Sequence, residues 1–194
     1  MTKNLKLGIM MFLQYAVWGA WMPVTSRFLT ASVIDGGLGF TDSEMAIILG
    51  FAASVGALSA PFLAGQVADR YFSTEKILAF LVISGGLVKW YTALQTDFNA
   101  WLYLSILYSI LYMPTLALSN SIAFAHLEDS ENNFPKIRAW GTIGWIVATW
   151  TFPMIWLQTD LGFSFMPPFL IGSEVEGVVN RLGDSFKFSA IISI

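Results

Sequence analysis

The sequence predicts an all-α integral membrane protein, on three observations. Apolar residues make up 56% of the chain and charged residues only 12%, against roughly 45–50% and about 25% in soluble domains. The mean hydropathy is +0.64. The apolar residues also gather in runs that, at a rise of about 1.5 Å per residue, are long enough to cross about 30 Å of hydrocarbon.

Five such runs are expected as spans, at about 7–29, 45–67, 77–95, 101–125 and 139–158. The first follows Lys3 and Lys6, yet it is too long for a signal-peptide core and holds Gln14, Trp18 and Trp21 with no small-residue cleavage site after them, so it is expected to be retained. The second carries Ala53, Gly56, Ala57, Ala60 and Ala64 at helical spacing, small residues that let a neighbouring backbone approach closely. In the fourth, Pro114 removes a backbone donor and is expected to bend the helix. The fifth follows Asn132, Asn133 and Pro135, a helix-start pattern, and Gly141, Gly144 and Ala148 give it a small-residue packing stripe. A sixth apolar run, 186–194, is too short to span, so the chain is expected to stop inside a sixth helix. The segment 159–185, with its "MPPF" and several glycines, reads as an external loop with turns.

Basic residues set the orientation. Lys3, Lys6, Arg70, Lys76, Lys136 and Arg138 fall on one side of the five crossings, which places that side and the N-terminus in the cytoplasm. The expected location is a plasma membrane crossed several times. A net charge of −3 offers no basic surface for nucleic acid, and the absence of cysteine removes disulfides, thiolate metal sites and cysteine nucleophiles. No HExxH or GxSxG motif is present, and the single histidine, His126, stands at a helix end followed by Glu128 and Asp129. No catalytic residue, metal site or cofactor is expected. A membrane-embedded enzyme or a solute sensor is the alternative from another class.

Three runs carry polar and aromatic stripes. Gln14, Trp18, Trp21 and Thr25 share one helical face; Tyr108, Tyr112, Thr115 and Ser119 share another, with Asn120 beside it; Arg138, Thr142, Trp145 and Thr149 make a third. In hydrocarbon such groups must face one another or a polar cavity. Inter-helical hydrogen-bond glue and a substrate cavity with aromatic walls are both consistent with each stripe.

The connection "GQVADRYFSTEK" resembles the signature loop of the major facilitator superfamily at Gly65, Val67, Ala68, Asp69 and Arg70, and departs from it at Phe72, Ser73 and Thr74. The ordered set "FLQYAVWGAW", "ADRYFS", "YMPTLALSNSI" and "FPKIRAWGTIGW" is similar to the nucleoside:proton symporter family of that superfamily, the bacterial nucleoside permeases, over about 6–150. That resemblance implies the N-terminal six-helix half of a twelve-helix carrier, truncated within its sixth helix. It implies substrate held midway between two halves and exposed alternately to each side, so the chain alone is not expected to transport. By similarity Arg138, Thr142 and Trp145 would contact the nucleoside, with Gln14, Trp18 and Asn120 facing the same cavity. Asp69, beside Arg70 at a cytoplasmic helix end, is expected to form with it a pair that closes one state as a gate.

The chemistry suits such a solute. An indole stacks on a nucleobase for about 1–3 kcal/mol, and ribose hydroxyls match amide, hydroxyl and guanidinium partners. A sugar or another small polar solute would use the same groups. The proton gradient is the implied driving force, and because the thirteen acidic residues lie in loops or at helix ends, the proton-binding carboxylate is expected in the missing C-terminal half. The other expected partner is the lipid bilayer.

Overall fold

In the computed structural model, residues 2–62, 73–166 and 170–194 are described. Asp69 and Arg70, with the rest of the signature loop through Phe72, lie outside them.

Five long helices and a shorter one form the bundle. Helix α1 is Lys3–Thr30. Helix α2 runs Asp42–Phe62, with a π-helical stretch at Ile47–Phe51. Helices α3 (Thr74–Thr92), α4 (Phe98–His126) and α5 (Ser130–Phe152) follow. Among the described residues α1, α2 and α4 are long and apolar enough to cross a membrane. Helices α3 and α5 are more polar because Glu75, Lys76 and Lys89 lie in the first and Glu131, Lys136 and Arg138 in the second.

Local chemistry explains the helix starts. Thr41 and Glu44 form a reciprocal capping box at α2. Asp97 caps α4 by accepting from Ala100 N at 3.0 Å. The start of α5 corrects the expected one. Asp129, not the Asn132–Asn133 pair, is the cap, accepting from Asn132 N at 3.3 Å, and Pro135 lies inside the helix. Those hydrogen bonds from Asn132 hold the Asp129 carboxyl below its ordinary range. Helix α4 runs unbroken through Pro114.

The segment 159–185 also differs from a plain loop. Strands β1 (Gln158–Phe163) and β2 (Leu170–Glu174) pair antiparallel, with an irregularity between Thr159 and Gly162. A short helix α6 (Val178–Leu182) and helix α7 (Asp184–Ser193) follow. Arg27 at the end of α1 makes a forked ion pair with Glu174, at 2.5 and 2.8 Å, which ties the hairpin to the bundle. The expected sequence pattern missed this because β1 and β2 expose most of their side chains, so no period-2 apolar signal exists.

Helix α1 packs on α5, α4 packs on both α2 and α3, and α7 sits against α1 and α3. Glycines make these approaches possible. A Cβ on Gly144 would overlap the carbonyl oxygen of Phe12 on α1, and one on Gly56 would lie 2.6 Å from the Ser109 side chain on α4. On α2 the buried residues are Ile48, Ala52 and Gly56, Ala57 is exposed, and Ala64 of the expected small stripe lies outside the described residues. One apolar cluster gathers Leu7, Met11, Leu81, Ile122 and Ile137, and a second gathers Phe28, Phe40, Trp101, Leu182 and Phe186. Between them along α1 lies an aromatic layer of Val17, Trp18, Trp21, Tyr108 and Tyr112.

Candidate functional site

The aromatic layer is where the polar stripes meet. Gln14 of α1 is buried and donates from Nε2 to Thr115 Oγ1 of α4 at 2.6 Å. The Thr115 hydroxyl donates in turn to the Tyr112 carbonyl at 2.5 Å, and the Tyr112 hydroxyl donates to the Gln14 carbonyl at 2.7 Å. The bonds from Gln14 Nε2 and from the Tyr112 hydroxyl cross between the helices and join α1 to α4 at this level.

Next to this node the aromatic side chains line up across three helices. Trp18 meets Trp145 of α5 edge to face, with ring centroids 5.1 Å apart, and meets Tyr112 at 6.5 Å. Tyr112 stacks on Tyr108 at 5.4 Å with an interplanar angle of 11°. Trp145 can approach α1 because Gly19 faces its backbone; a Cβ there would stand 2.7 Å from the Trp145 carbonyl oxygen.

Arg138 stands on α5 with Thr142 and Trp145 on the same helical face. Its guanidinium carbon lies 4.1 Å above the Tyr15 ring of α1, a stack that fits the flat cation. Gly141 makes room for it, since a Cβ would sit 2.6 Å from Tyr15 and 2.9 Å from Arg138 Nη1. Arg138 and Trp145 are half-buried and Thr142 is exposed. Asn120 lies on α4 apart from the node, and its Oδ1 is buried without a hydrogen-bond partner.

Several stripe members serve packing instead. Thr25 donates to the Trp21 carbonyl at 2.7 Å and Ser119 to that of Leu116 at 3.0 Å, so both hydroxyls are spent on their own helices. Thr149 reaches the Gly19 carbonyl at 3.3 Å as inter-helical glue.

Lys89 belongs to none of the three stripes. It is 3% exposed, and its ammonium sits 3.5 Å from the Trp21 ring centroid and 3.7 Å from that of Tyr108. A desolvated cation–π contact contributes about 2 kcal/mol, so two offset part of a desolvation penalty of several kcal/mol. The sequence carried the signal, a lysine inside "ISGGLVKWYTA", within the run 77–95 expected to span. Lys89 lines a cavity of about 130 Å³ together with Trp18, Trp21, Tyr108, Tyr112 and Phe186.

The chain also resembles known proteins. The chain is 41% identical over 148 residues to "Putative nucleoside transporter YegT" of Escherichia coli (strain K12), covering 76% of the chain and 33% of that protein. It is 30% identical over 164 residues to "Xanthosine permease" of the same organism, covering 81% of the chain and 37% of that protein. The crystal structure of the nucleoside transporter NupG superposes with a TM-score of 0.80 at 25% identity, over 100% of this chain and 42% of that one. The chain thus spans about a third of the length of these curated relatives. The helical bundle is that of the nucleoside transporter's major-facilitator architecture, and it is membrane-embedded. With the family described as "Nucleoside H+ symporter" matching residues 1–181, the chain belongs to that family.

Proposed function

We propose that the chain forms the N-terminal six-helix half of a carrier that imports nucleosides with protons by alternating access, and that a second helical half completes the cavity. The observation that carries this reading is the meeting of α1, α4 and α5 at one level, where Trp18 touches both Tyr112 and Trp145 beside the Gln14–Thr115 node. The indoles offer base-stacking faces, and Arg138 and Thr142 offer donors to ribose or base edges from the same face of α5. Gln14 orients through its satisfied node, and Asn120 keeps an unused carbonyl for a solute or a water. Asp69 and Arg70 act as the cytoplasmic gate. The proton gradient is the coupling force, with its carboxylate carried by the second half. The membrane is the bacterial inner membrane, with the N-terminus in the cytoplasm.

Arg138→Lys tests the site. In the full-length carrier reconstituted in proteoliposomes, lysine keeps the charge but loses the planar fork, so KM for uridine rises at least tenfold. An unchanged KM would make Arg138 an interfacial anchor. Uptake of hexoses in place of nucleosides would favour a sugar carrier, and substrate turnover without uptake would favour an enzyme.

A further inference from the structure

Around Lys89 the cavity is rich in donors and empty of anions. The Trp21 Nε1–H and the Tyr108 hydroxyl are both buried with no hydrogen-bond partner. Lys89 has three N–H donors, and no described residue accepts a hydrogen bond from them or pairs with its charge; the rings of Trp21 and Tyr108 meet its charge through their π faces alone. Among the described residues no acidic side chain lines the cavity; of its hydroxyls Thr25 and Tyr112 donate to backbone carbonyls, and Ser105 and Ser109 also stand on its wall. Lys89, Trp21 and Tyr108, from α3, α1 and α4, thus all line one space of about 130 Å³. An acceptor that is itself anionic would satisfy the donors and balance the ammonium together, where a water could only relieve the donors.

We propose that Lys89, Trp21 and Tyr108 form a binding pocket for one small anionic group, a halide or a carboxylate-sized oxyanion. The volume is too small for a whole nucleoside. Two sources share this chemistry: a free anion, or an anionic acceptor carried by the transported solute and entering past Trp18 and Tyr112, which line both this cavity and the aromatic face described above. The pocket stands apart from the nucleoside reading and does not require it.

The test uses the full-length carrier purified in detergent. In one arm sodium bromide is titrated at constant ionic strength while tryptophan fluorescence is followed; in the other, uridine and then xanthosine, whose base is readily ionised, are titrated by calorimetry. A free anion gives a saturable bromide response that weakens at least tenfold in Lys89→Met and several-fold in Tyr108→Phe. A solute-borne anion gives no saturable bromide response, and xanthosine binding then weakens in both variants while uridine binding does not. Should Lys89→Met fail to fold, Tyr108→Phe decides, because removing an unpaired buried hydroxyl leaves a folded protein at least as stable as the parent. Bromide and xanthosine responses that are identical in Tyr108→Phe and the parent would overturn the proposal. A saturable bromide response with no nucleoside binding would uphold the pocket and sink the nucleoside reading.

Discussion

Thr115→Val is the sharpest probe of the node that holds the site together. The change keeps the side-chain shape and removes the hydroxyl that accepts from Gln14 Nε2 at 2.6 Å. Gln14 is 6% exposed, so its amide would be left buried without that acceptor. An orphaned buried polar group costs about 1–3 kcal/mol, which is a factor of roughly 5 to 150 in the folding equilibrium. The expected outcome is a loss of that size in denaturant unfolding of the purified full-length carrier. Replacing both partners, as Gln14→Leu with Thr115→Val, removes donor and acceptor together and recovers at least about 1 kcal/mol of the sum of the single losses. The reasoning fails if Thr115→Val is as stable as the parent, or if the double variant loses the full sum.

Further outcomes follow from packing and charge. Gly144→Ala forces a Cβ onto the Phe12 carbonyl; because backbone cannot step aside like a side chain, the α1–α5 contact opens and stability falls by about 1–3 kcal/mol or more, read by thermal unfolding against a harmless Ala57→Val control on the exposed face of α2. Trp145→Ala removes an indole face worth about 1–3 kcal/mol to a stacked base, so uridine KM rises roughly 5- to 150-fold, measured in proteoliposomes. The Arg27 hydrogen bonds hold the Glu174 carboxyl below its ordinary range. A depressed carboxylate contributes stability that is present above its unfolded value and is lost as pH falls through the lower folded one. The hairpin is therefore expected to loosen only below the usual carboxylate range, by less than about 1 kcal/mol because the pair is exposed, and hydrogen exchange across 158–174 should show that loss vanish in Glu174→Gln.

Much of the fold was legible because hydrocarbon leaves few options. Long apolar runs had to be helices, and glycines at positions 56 and 144 marked close approaches that the structure contains. The stripes were legible as faces but not as roles. Periodicity places Thr25, Ser119 and Gln14 alike on inward faces, yet the first two hydroxyls close onto their own helices while Gln14 crosses to α4. Only tertiary geometry separates glue from site. The hairpin at 158–174 was illegible because its exposed strands carry no alternation, and the α5 start was misread because Asp129 competed with two asparagines for the cap. Lys89 was legible in principle: a cation inside an apolar helix marks a functional candidate. It lies on none of the polar stripes, so periodicity alone does not single it out, and the rings of Trp21 and Tyr108 show that it turns inward.

The most direct test of the central claim is uptake of labelled uridine and adenosine by the full-length carrier in proteoliposomes, with an imposed inward proton gradient and hexoses as competitors. The account predicts uptake that rises with the gradient, collapses with a protonophore and is blocked by unlabelled nucleosides but not by hexoses. Uptake indifferent to the gradient, or competed by hexoses and not by nucleosides, would contradict it.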